Sequence, residues 1–305
     1  MAVKAEKTDE RTVRKDVQDL LNKTSGLKAY FVVITGQDIG KKFPIQKSEL
    51  SIGRSEACDI YVNDEDVSRN HALIKVLPSG IIIEDLESTN GTLVNGQAIA
   101  KKTLLDDGDR IQVGNVTVFK FHFLDELEEN YNEQLYKAAN KDYLTGCYNK
   151  KYFTDRLKME ISHTKRHQSP LSLMIFDVDH FKKFNDTHGH VTGDIILQKL
   201  AEEIDSIKRH EDLFARYGGE EFILLLRDTP QERAVQIAEK IRAHIADLAI
   251  EVEGQKLGIT ISIGVETFTG KNYQSEEDFL RGADHLLYEA KRAGRNKVYF
   301  EKHDA

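Results

Sequence analysis

The sequence predicts a multidomain protein in which an all-β sandwich is followed by an α/β domain. Its 305 residues are enough for two domains of ordinary size. Between Tyr30 and about Leu124, many short strand-like runs are separated by glycine and asparagine turns, a pattern that is typical of β-sandwiches. Beyond Asp142, an apolar run typical of a buried strand is followed by a long amphipathic segment, which indicates mixed strands and helices.

Composition and charge exclude several classes of protein. Lys and Arg number 43 against 51 Asp and Glu, a formal net charge of -8, and no basic stripe indicates a nucleic-acid partner. We find no signal peptide and no apolar run near the about 18 residues that a membrane span needs. Cys58 and Cys147 lie in different predicted domains and offer neither a metal-binding spacing nor a disulfide framework. We therefore expect a cytoplasmic protein with no nucleic-acid partner and no membrane span.

The N-terminal segment, residues 1–27, is highly charged and lacks a clear apolar face, which predicts a mobile tail. The apolar residues from Val13 to Leu21 would fall on one side of a short helix. The tail also carries several threonines, of which Thr8 and Thr12 lie farthest from the first predicted strand. These two residues are candidate phosphorylation sites.

The predicted sandwich occupies residues 28–124, and four polar loop motifs punctuate its strands. In chain order the motifs are Ile52–Ser55, Val67–Ala72, Ser88–Thr92 and Val94–Gly96. Their order and spacing resemble the forkhead-associated (FHA) domain. The resemblance implies a domain that binds phosphothreonine peptides. The alternative is a sandwich that has kept its loop residues without a ligand.

The loop residues have the chemistry that a phosphothreonine needs. A dianionic phosphate is bound by arginine and hydroxyl donors held at a fixed separation. The resemblance implies that Arg54 and Ser68 contact the phosphate. Arg69 and Thr89 would assist them, and Asn90 would hydrogen-bond the peptide backbone. Three further residues are expected to hold the loops in shape: Gly53, His71 and Asn95.

The most informative stretch of the second half is Arg216–Phe222, with the sequence RYGGEEF. We predict a β-hairpin here, with strands at Asp212–Tyr217 and Glu221–Leu226. Gly218 and Gly219 are the predicted turn, because glycine tolerates the positive φ of tight two-residue turns. The missing side chains would also let a large ligand approach the backbone closely.

Carboxylates follow two of the predicted strands. Glu220 and Glu221 leave the hairpin turn, although strand-forming sequence usually avoids consecutive acids. Asp177 and Asp179 end the apolar run Leu171–Phe176, which is predicted to be a buried strand. Open α/β sheets bind ligands at such strand ends. Hard oxygen ligands beside an open backbone suit magnesium and a phosphate ester.

These residues resemble the GGDEF family of diguanylate cyclases, from about Asp142 to about Phe300. Further motifs of the resemblance occur in the family's order: Asp142–Gly146, Asp177–Lys182, Asn185–Asp186, Gly189–His190, Gly193–Asp194, Thr260–Val265, Ala283–Asp284, Tyr288, Ala290–Lys291 and Gly294–Asn296. Glu220 stands where the signature usually has Asp, a variant compatible with activity in the family. The implied domain covers 142–305 and has a nucleotidyl-cyclase-like α/β fold, with a mostly antiparallel central sheet flanked by helices.

The resemblance implies that two GTP condense to cyclic di-GMP and two pyrophosphates. Each domain would bind one GTP, so catalysis would require a homodimer. Two Mg²⁺ ions per active site are expected, with Mn²⁺ as a substitute. Asp177, Glu220 and the Val178 carbonyl would be the metal ligands. Glu221 would assist metal binding or deprotonate the ribose 3′-hydroxyl, and Lys182 would offset charge that develops on the phosphates.

The resemblance also assigns the nucleotide-binding residues. Lys291 and Arg295 would hold the β- and γ-phosphates from the last helix. Asn185 and Asp194 would read the guanine edge, since an aspartate accepts from guanine N–H groups that adenine does not present in the same way. His190 would line the same pocket.

Two further expectations concern control of the enzyme. Arg209 and Asp212 end five residues before the glycine pair, a spacing that resembles the family's product-inhibition site for cyclic di-GMP. A helix is predicted from Leu124 to Lys141, of which 125–141 is the linker between the domains. Leu124, Tyr131 and Ala138 repeat at seven within it, which fits either a short dimeric coiled coil or docking onto the chain's own cyclase domain.

The leading hypothesis is a diguanylate cyclase controlled by phosphothreonine recognition, which requires an upstream Ser/Thr kinase. The phosphothreonine would belong either to the chain's own tail, at Thr8 or Thr12, or to another protein. The main alternative is a non-enzymatic adaptor that docks a phosphoprotein while its GGDEF domain only senses GTP or cyclic di-GMP. A cyclase acting on ATP is disfavoured by Asn185 and Asp194.

Overall fold

The computed structural model describes residues 27–301, apart from the single positions 37, 63, 101, 210 and 271. The chain divides into two compact units between Tyr136 and Lys137. The predicted mobile tail, its short helix and the candidate phosphorylation sites Thr8 and Thr12 lie outside the described residues.

The described part of the first unit is a β-sandwich. One sheet has the strand order β2-β1-β11-β10-β7-β8 and the other has the order β4-β3-β5-β6-β9. The strands are β1 Lys28–Thr35, β2 Lys42–Pro44, β3 Glu49–Gly53, β4 Ile60–Tyr61, β5 Ala72–Leu77, β6 Gly80–Asp85, β7 Thr92–Val94, β8 Gln97–Ala98, β9 Thr103–Leu104, β10 Arg110–Val113 and β11 Thr117–Leu124. The predicted all-β sandwich is confirmed.

Alternation of side chains builds the core of the sandwich. In β5, Ala72, Ile74 and Val76 are buried, while the residues between them are only partly covered. Phe31 of β1 packs against Phe121 of β11, with ring centroids 5.6 Å apart. Because one face of each sheet is buried in this way, the register of the strands is fixed and the loops between them are held in place.

The linker helix, α1, spans Glu126–Asn140. Asp125 caps it, since its carboxylate accepts from the Glu128 N–H at 2.8 Å and Glu128 reaches back to the Asp125 N–H at 3.3 Å. The expectation that Leu124 begins the helix is wrong, because Leu124 ends β11 and is buried. Tyr131 is well exposed, and no residue of α1 is buried.

The second unit is an α/β domain. Its elements are β12 Tyr148–Asn149, α2 Lys150–His167, β13 Leu171–Val178, α3 Phe181–His188, α4 His190–Ile207, β14 Leu213–Gly218, β15 Glu221–Leu226, α5 Gln231–Asp247, β16 Ile250–Val252, β17 Gln255–Leu257, β18 Ile261–Phe268, α6 Glu276–Arg292 and β19 Val298–Tyr299. The main sheet has the order β12-β14-β15-β13-β18-β19. Its three central pairings are antiparallel and its two edge pairings are parallel, which confirms the expected sheet.

The central strand β13 is buried on both faces. Met174 and Phe176 pack in the cluster that contains α4 and α5, whereas Leu173 and Ile175 pack in the cluster that contains α2 and α6. Asp177 continues the second series, so it faces the side of the sheet that α6 covers. The helix lies directly on β18 at Gly264, where a Cβ would collide with the main chain of α6.

Candidate functional site

Asp177 lies near the carboxyl end of β13, in register with Glu221 of β15 on one side and Ser262 of β18 on the other. Directly paired residues of an antiparallel sheet share a face, so the Asp177 and Glu221 carboxylates are neighbours. Asp177 is 6% exposed. Burial raises its pKa to about 6; Lys291 opposes this shift, and the negative charges of Glu220 and Glu221 add to it.

The buried carboxylate is paired with a lysine from the end of α6. Lys291 Nζ lies 2.9 Å from Asp177 Oδ2. Lys291 is expected to bind the phosphates, and in this structure its ammonium pairs with Asp177, an expected metal ligand. The neighbouring Glu220 and Glu221 leave an excess of negative charge around this one ammonium, which fits a divalent cation.

The protein side chains do not enclose a metal by themselves. Within the described ranges, no group of three or more His, Cys, Asp or Glu residues is arranged to hold an ion. Val178 is the last residue of β13 and its side chain is buried, so only its main-chain carbonyl is available to a ligand. Water and substrate oxygens would have to complete the coordination of a bound ion, as is usual for magnesium.

Asp179, two residues beyond Asp177, has a different environment. It is 8% exposed, and both of its carboxylate oxygens accept hydrogen bonds. The Ser262 hydroxyl donates to Oδ1 at 2.6 Å; the Thr260 hydroxyl, at 2.7 Å, and the Asn296 N–H, at 2.9 Å, donate to Oδ2. The two acids of the Asp-x-Asp motif are thereby distinguished, because Asp177 pairs with the Lys291 ammonium whereas Asp179 accepts from neutral donors.

The hairpin between β14 and β15 turns at Gly219 and Glu220. The prediction of Gly218 and Gly219 as the turn pair was off by one residue, because Gly218 pairs with Glu221 in the ladder. A register shift after Arg216 accounts for the difference. Gly219 has φ +52, which glycine adopts without strain. Glu220 is consequently at the tip of the turn and outside the ladder, where its carboxylate is accessible.

Arg216 connects this turn to the start of the domain, a contact that the sequence analysis did not predict. Its Nε donates to the Gly219 carbonyl at 2.8 Å, and its Nη1 lies 3.1 Å from Asp142 Oδ1. Asp142 also accepts from the main chain and hydroxyl of Thr145. These donors lower the pKa of Asp142 against the effect of its burial, so it stays ionised beside the arginine. The sequence held one signal for this contact, because Asp142 belongs to the motif Asp142–Gly146 and Arg216 to the segment Arg216–Phe222.

The corner between α3 and α4 presents the expected guanine-binding residues. The Asn185 amide oxygen is buried and has no hydrogen-bond partner among the described residues. It packs against Gly193, where a Cβ would collide with it. His190 and Asp194 are exposed on α4, one helical turn apart. An unpaired acceptor at this position is suited to a ligand that carries N–H donors.

Arg295 is not on the last helix, contrary to expectation. Helix α6 ends at Arg292, and Gly294, Arg295 and Asn296 follow it with φ values of +108, +63 and +45. Three successive left-handed residues reverse the chain toward β19. The Arg295 side chain is therefore presented by a turn and not by the helix.

Lys182 is exposed on α3, on the first turn after the Asp-x-Asp motif. A cavity of about 370 Å³ lies on another side of α3 and reaches Asp179, Lys183, Phe184 and Ile259. It does not include Asp177 or Glu220. Its lining also includes His180 and Thr260, so the cavity is separate from the acidic cluster.

The expected product-inhibition residues form a turn before β14. The Arg209 N–H donates to Asp212 Oδ2 at 2.9 Å, and Asp212 is 5% exposed. Asp212 Oδ1 is buried without a hydrogen-bond partner, and burial raises the pKa of this carboxyl. The Arg209 guanidinium is half exposed, with the exposed Glu211 at the limit of ion-pair distance, 4.0 Å.

In the sandwich, loops that follow β3, β4 and β6 bring the expected phosphothreonine residues together. Ser68 Oγ accepts from the Thr89 N–H at 3.0 Å and lies 3.3 Å from Thr89 Oγ1. The Arg54 N–H donates to the Ser68 carbonyl at 2.9 Å. His71 connects the loops as expected: its Nδ1 accepts from the Ser68 N–H and its Nε2 lies 3.1 Å from the Gly91 carbonyl.

Positive charge at these loops is not neutralised. No carboxylate in the described part of the chain forms an ion pair with Arg54 or Arg69. Arg54 makes one side-chain contact, from Nε to the Val67 carbonyl at 3.2 Å. Asn90 donates to the Asp66 carbonyl at 2.8 Å, so its amide is engaged with the loop in this structure. An arginine without an ion-pair partner, Arg54, held on the main chain next to Ser68, is suited to bind a phosphate.

Both units of the chain match known protein families. Residues 139–297 match the family model described as "Diguanylate cyclase, GGDEF domain", and residues 50–114 match the FHA domain model. Diguanylate cyclase A of Treponema denticola is 38% identical over 176 residues, which are 57% of this chain and 47% of that protein. Diguanylate cyclase DosC of Escherichia coli is 30% identical over 270 residues, 88% of this chain and 56% of that protein. The chain thus spans about half the length of these curated relatives.

Solved structures agree with the family match. The coiled coil and GGDEF domain of DgcB from Caulobacter crescentus, in complex with c-di-GMP, has a TM-score of 0.54 and 30% identity, covering 58% of this chain and 93% of that one. Diguanylate cyclase SiaD from Pseudomonas aeruginosa, in complex with its activator SiaC, has a TM-score of 0.52 and 36% identity, covering 58% of this chain and 67% of that one.

No helix among the described residues is long and apolar enough to cross a membrane. The family model covers more than half of the chain, and the structure has the expected mostly antiparallel sheet. The chain belongs to the GGDEF family of diguanylate cyclases and carries an FHA domain on the N-terminal side of the GGDEF domain.

Proposed function

We propose that the protein is a diguanylate cyclase that condenses two GTP into cyclic di-GMP and two pyrophosphates. The observation that carries this proposal is the convergence of Asp177, Glu220 and Glu221 at one end of the sheet, with the Lys291 ammonium paired to Asp177. Phosphoryl transfer depends mainly on positioning and on neutralising charge, which such a cluster supplies once cations are bound.

Diguanylate cyclases of this family generally use divalent metal ions. Asp177, Glu220 and the Val178 carbonyl would hold two Mg²⁺ ions, for which Mn²⁺ could substitute. Such ions supply charge stabilisation for the attacking and leaving oxygens of the transfer. Glu221, paired with Asp177 across the strands, assists metal binding or accepts the proton of the ribose 3′-hydroxyl.

The remaining site residues bind and orient GTP. Lys291 exchanges the Asp177 carboxylate for β- and γ-phosphate oxygens when the nucleotide binds, and Arg295 binds the same phosphates. Lys182, exposed at the start of α3, offsets charge on the phosphates.

Guanine is read at the corner between α3 and α4. The unpaired Asn185 oxygen and the Asp194 carboxylate accept from guanine N–H groups, and His190 lines the pocket. The presence of two acceptors favours guanine over adenine, which supports GTP and not ATP as the substrate.

Catalysis requires a homodimer, because one GGDEF domain binds one GTP and the product contains two. We assign residues 1–27 to the tail, 28–124 to the FHA domain, 125–141 to the linker helix and 142–305 to the cyclase domain. The geometry between protomers is then the natural point of control.

The FHA domain would supply that control by binding a phosphothreonine. Arg54 and Ser68 would contact the phosphate, with support from Arg69 and Thr89, and Asn90 would bind the peptide backbone. The contact between the Ser68 and Thr89 hydroxyls, and the Arg54 guanidinium on the neighbouring Val67 carbonyl, support this role. A Ser/Thr kinase must then act upstream, on the chain's own tail at Thr8 or Thr12 or on another protein.

Product inhibition is the second proposed control. Arg209 would bind the guanine edge or phosphate of cyclic di-GMP, and the unpaired Asp212 oxygen would accept from a base. Because the Arg209 main chain already holds the other Asp212 oxygen, the turn is organised before the ligand arrives.

The test of the proposed activity is to incubate the purified chain with GTP and Mg²⁺ and to look for cyclic di-GMP and pyrophosphate. Formation of both, with no cyclic product from ATP, is expected. GTP binding without turnover in the presence of Mg²⁺ or Mn²⁺ would instead support the adaptor, in which the GGDEF domain only senses nucleotides.

A further inference from the structure

Near the proposed active site, the Asp179 carboxylate accepts hydrogen bonds at both of its oxygens. Three neutral donors contact its two oxygens: the hydroxyls of Ser262 and Thr260, and the Asn296 main-chain N–H. No cation forms an ion pair with it within the described part of the domain. Because neutral donors engage both oxygens of this buried carboxylate, its contribution lies in holding those donors in place.

One of these donors belongs to a strained turn. Arg295 and Asn296 both have left-handed backbone conformations, which residues other than glycine adopt only where the surroundings support them. The Arg295 N–H donates to the Ala290 carbonyl at 3.1 Å. On the far side, Arg242 Nη1 donates to the Asn296 side-chain oxygen at 2.8 Å. Asp179 supplies the contact from the sheet, at the peptide that joins Arg295 to Asn296.

The end of β13 is therefore tied to the end of α6 at two points. Lys291 reaches Asp177 through a flexible side chain, and the turn reaches Asp179 through its main chain. The ion pair between Lys291 and Asp177 is lost when Lys291 turns to the phosphates. The hydrogen bond from the Asn296 N–H to Asp179 involves no group that the nucleotide would bind. A main-chain hydrogen bond also fixes the direction in which the neighbouring side chain leaves the backbone.

We infer that Asp179 is a positioning residue that holds the turn after α6 so that the Arg295 guanidinium points at the β- and γ-phosphates of GTP. This inference rests on the proposed function, in which Arg295 binds those phosphates. Asp179 acts through Arg295 and touches neither substrate nor metal. Its loss is expected to weaken the binding of a triphosphate and to spare the binding of guanine and the α-phosphate.

The experiment compares two ligands by titration calorimetry with the full chain and Mg²⁺. One is a GTP analogue with a methylene in place of the α–β bridging oxygen, which cannot release pyrophosphate. The other is GMP, which lacks the β- and γ-phosphates. Asp179→Asn is expected to weaken the binding of the analogue about tenfold, which is the size of one lost charge-assisted hydrogen bond. The affinity for GMP is expected to stay within about twofold of the wild-type value.

A double-mutant cycle tests whether Asp179 acts through Arg295. Arg295→Ala is expected to weaken the binding of the analogue by at least as much as Asp179→Asn does. The double variant is expected to bind the analogue no more weakly than Arg295→Ala alone. Ser262→Ala is the matched control, because it removes a donor to the other oxygen and leaves the Asn296 contact in place. This control is expected to bind both ligands normally.

Each opposite result has its own meaning. Equal weakening of GMP and the analogue by Asp179→Asn, or additive effects in the cycle, would overturn the positioning role. If Arg295→Ala binds the analogue as wild type does, the proposed phosphate contact fails, and the inference fails with it. If Asp179→Asn does not fold, Arg242→Ala loosens the same turn from its other side, and it must show the same selective loss for the inference to stand.

Discussion

The Lys291 ammonium lies 2.9 Å from Asp177 Oδ2, so a residue expected at the substrate phosphates neutralises a residue expected at the metal. This pair lets the domain fold with a buried aspartate whose pKa burial has raised to about 6. Without Lys291, the charges of Asp177, Glu220 and Glu221 would repel one another in a partly desolvated site. The same lysine can thus stabilise the acidic cluster and bind the substrate.

Asp177→Asn is predicted to abolish synthesis while the fold is kept. The amide is isosteric but lacks the charge that a divalent ion requires, so the rate should fall about 100-fold or more. The thermal midpoint should stay the same or rise, because burial and the charges of Glu220 and Glu221 already disfavour the ionised form of this carboxyl. Cyclic di-GMP formation and thermal unfolding measure the two effects. The control is Asp205→Asn, which changes an exposed aspartate on α4. Near-normal synthesis by Asp177→Asn would show that Asp177 is not a metal ligand.

Gly193→Ala is predicted to raise the KM for GTP about tenfold with little change in kcat. The new methyl group would collide with the Asn185 amide oxygen, so Asn185 must leave the position from which it would read guanine. Steady-state kinetics with GTP measure this effect. Gly258→Ala is the matched control, because a Cβ there has room. An unchanged KM in Gly193→Ala would show that Asn185 does not act on the base from this position.

The fold was predictable from local patterns wherever one pattern dominated. The strand Glu221–Leu226 was predicted with the bounds that the structure has, because it is a continuous apolar run after a turn signal. The turn itself was misplaced by one residue, since Gly218, Gly219 and Glu220 offer two adjacent turn positions and only the register shift after Arg216 selects between them. Local sequence holds no information about that shift.

The site was predictable in its residue types but not in its connections. The local pattern does not distinguish Asp177 from Asp179, because each is an acid at the end of an apolar strand; only the family resemblance assigned Asp177 to the metal. In the structure the two differ through partners that lie about 80 or more positions along the chain, Thr260 and Asn296 for Asp179 and Lys291 for Asp177. Such contacts depend on tertiary structure, which spacing alone does not give.

Arg209→Ala is predicted to relieve product inhibition without a large change in the initial rate. The substitution removes the exposed guanidinium and keeps the main-chain N–H that holds Asp212, so the turn should be undisturbed. Progress curves with added cyclic di-GMP measure the inhibition. Glu211→Ala, which changes the other exposed charge of the turn, should keep it. Equal inhibition of Arg209→Ala and wild type would refute the site.

His71 is predicted to make the FHA domain less stable in mild acid. Burial lowers the pKa of this histidine from 6.5, and its Nδ1 must stay unprotonated to accept from the Ser68 N–H. The unfolded chain therefore binds more protons below about pH 6.5, so stability is fully present above that pH and is lost as the pH falls, by up to about 1.4 kcal/mol per pH unit. Urea unfolding of the full chain between about pH 7.5 and about pH 5, roughly 2.5 pH units, measures the slope.

The controls for His71 use two substitutions to glutamine. His71→Gln should lose the acid-dependent part of the slope, although it is also less stable at neutral pH. His285→Gln changes an exposed histidine of α6 and should keep the wild-type slope. An identical pH dependence in His71→Gln and wild type would show that another group controls acid stability.

The last prediction concerns the ligand of the FHA domain, for which the chain's own tail is one source. A chain extends at most about 3.3–3.6 Å per residue, so Thr12 can lie up to roughly 50 Å from Leu27. That distance exceeds the size of a domain whose radius of gyration is about 13 Å. Thr8 and Thr12 can thus reach a loop site on the same chain or on a dimer partner. Tethering would raise the effective concentration of the phosphopeptide to about the millimolar range, so even weak intrinsic affinity would suffice.

Tail peptides phosphorylated at Thr8 or Thr12 are therefore predicted to bind the full chain better than their unphosphorylated forms, by about tenfold or more, because the phosphate adds charge-assisted hydrogen bonds. Arg54→Ala should remove that preference, since it deletes an unpaired guanidinium beside Ser68. Arg110→Ala, an exposed arginine on β10, is the matched control and should keep it. Fluorescence anisotropy with labelled peptides measures the affinities. If neither phosphopeptide binds better than its unmodified form, the tail is not the ligand, and the phosphothreonine must come from another protein.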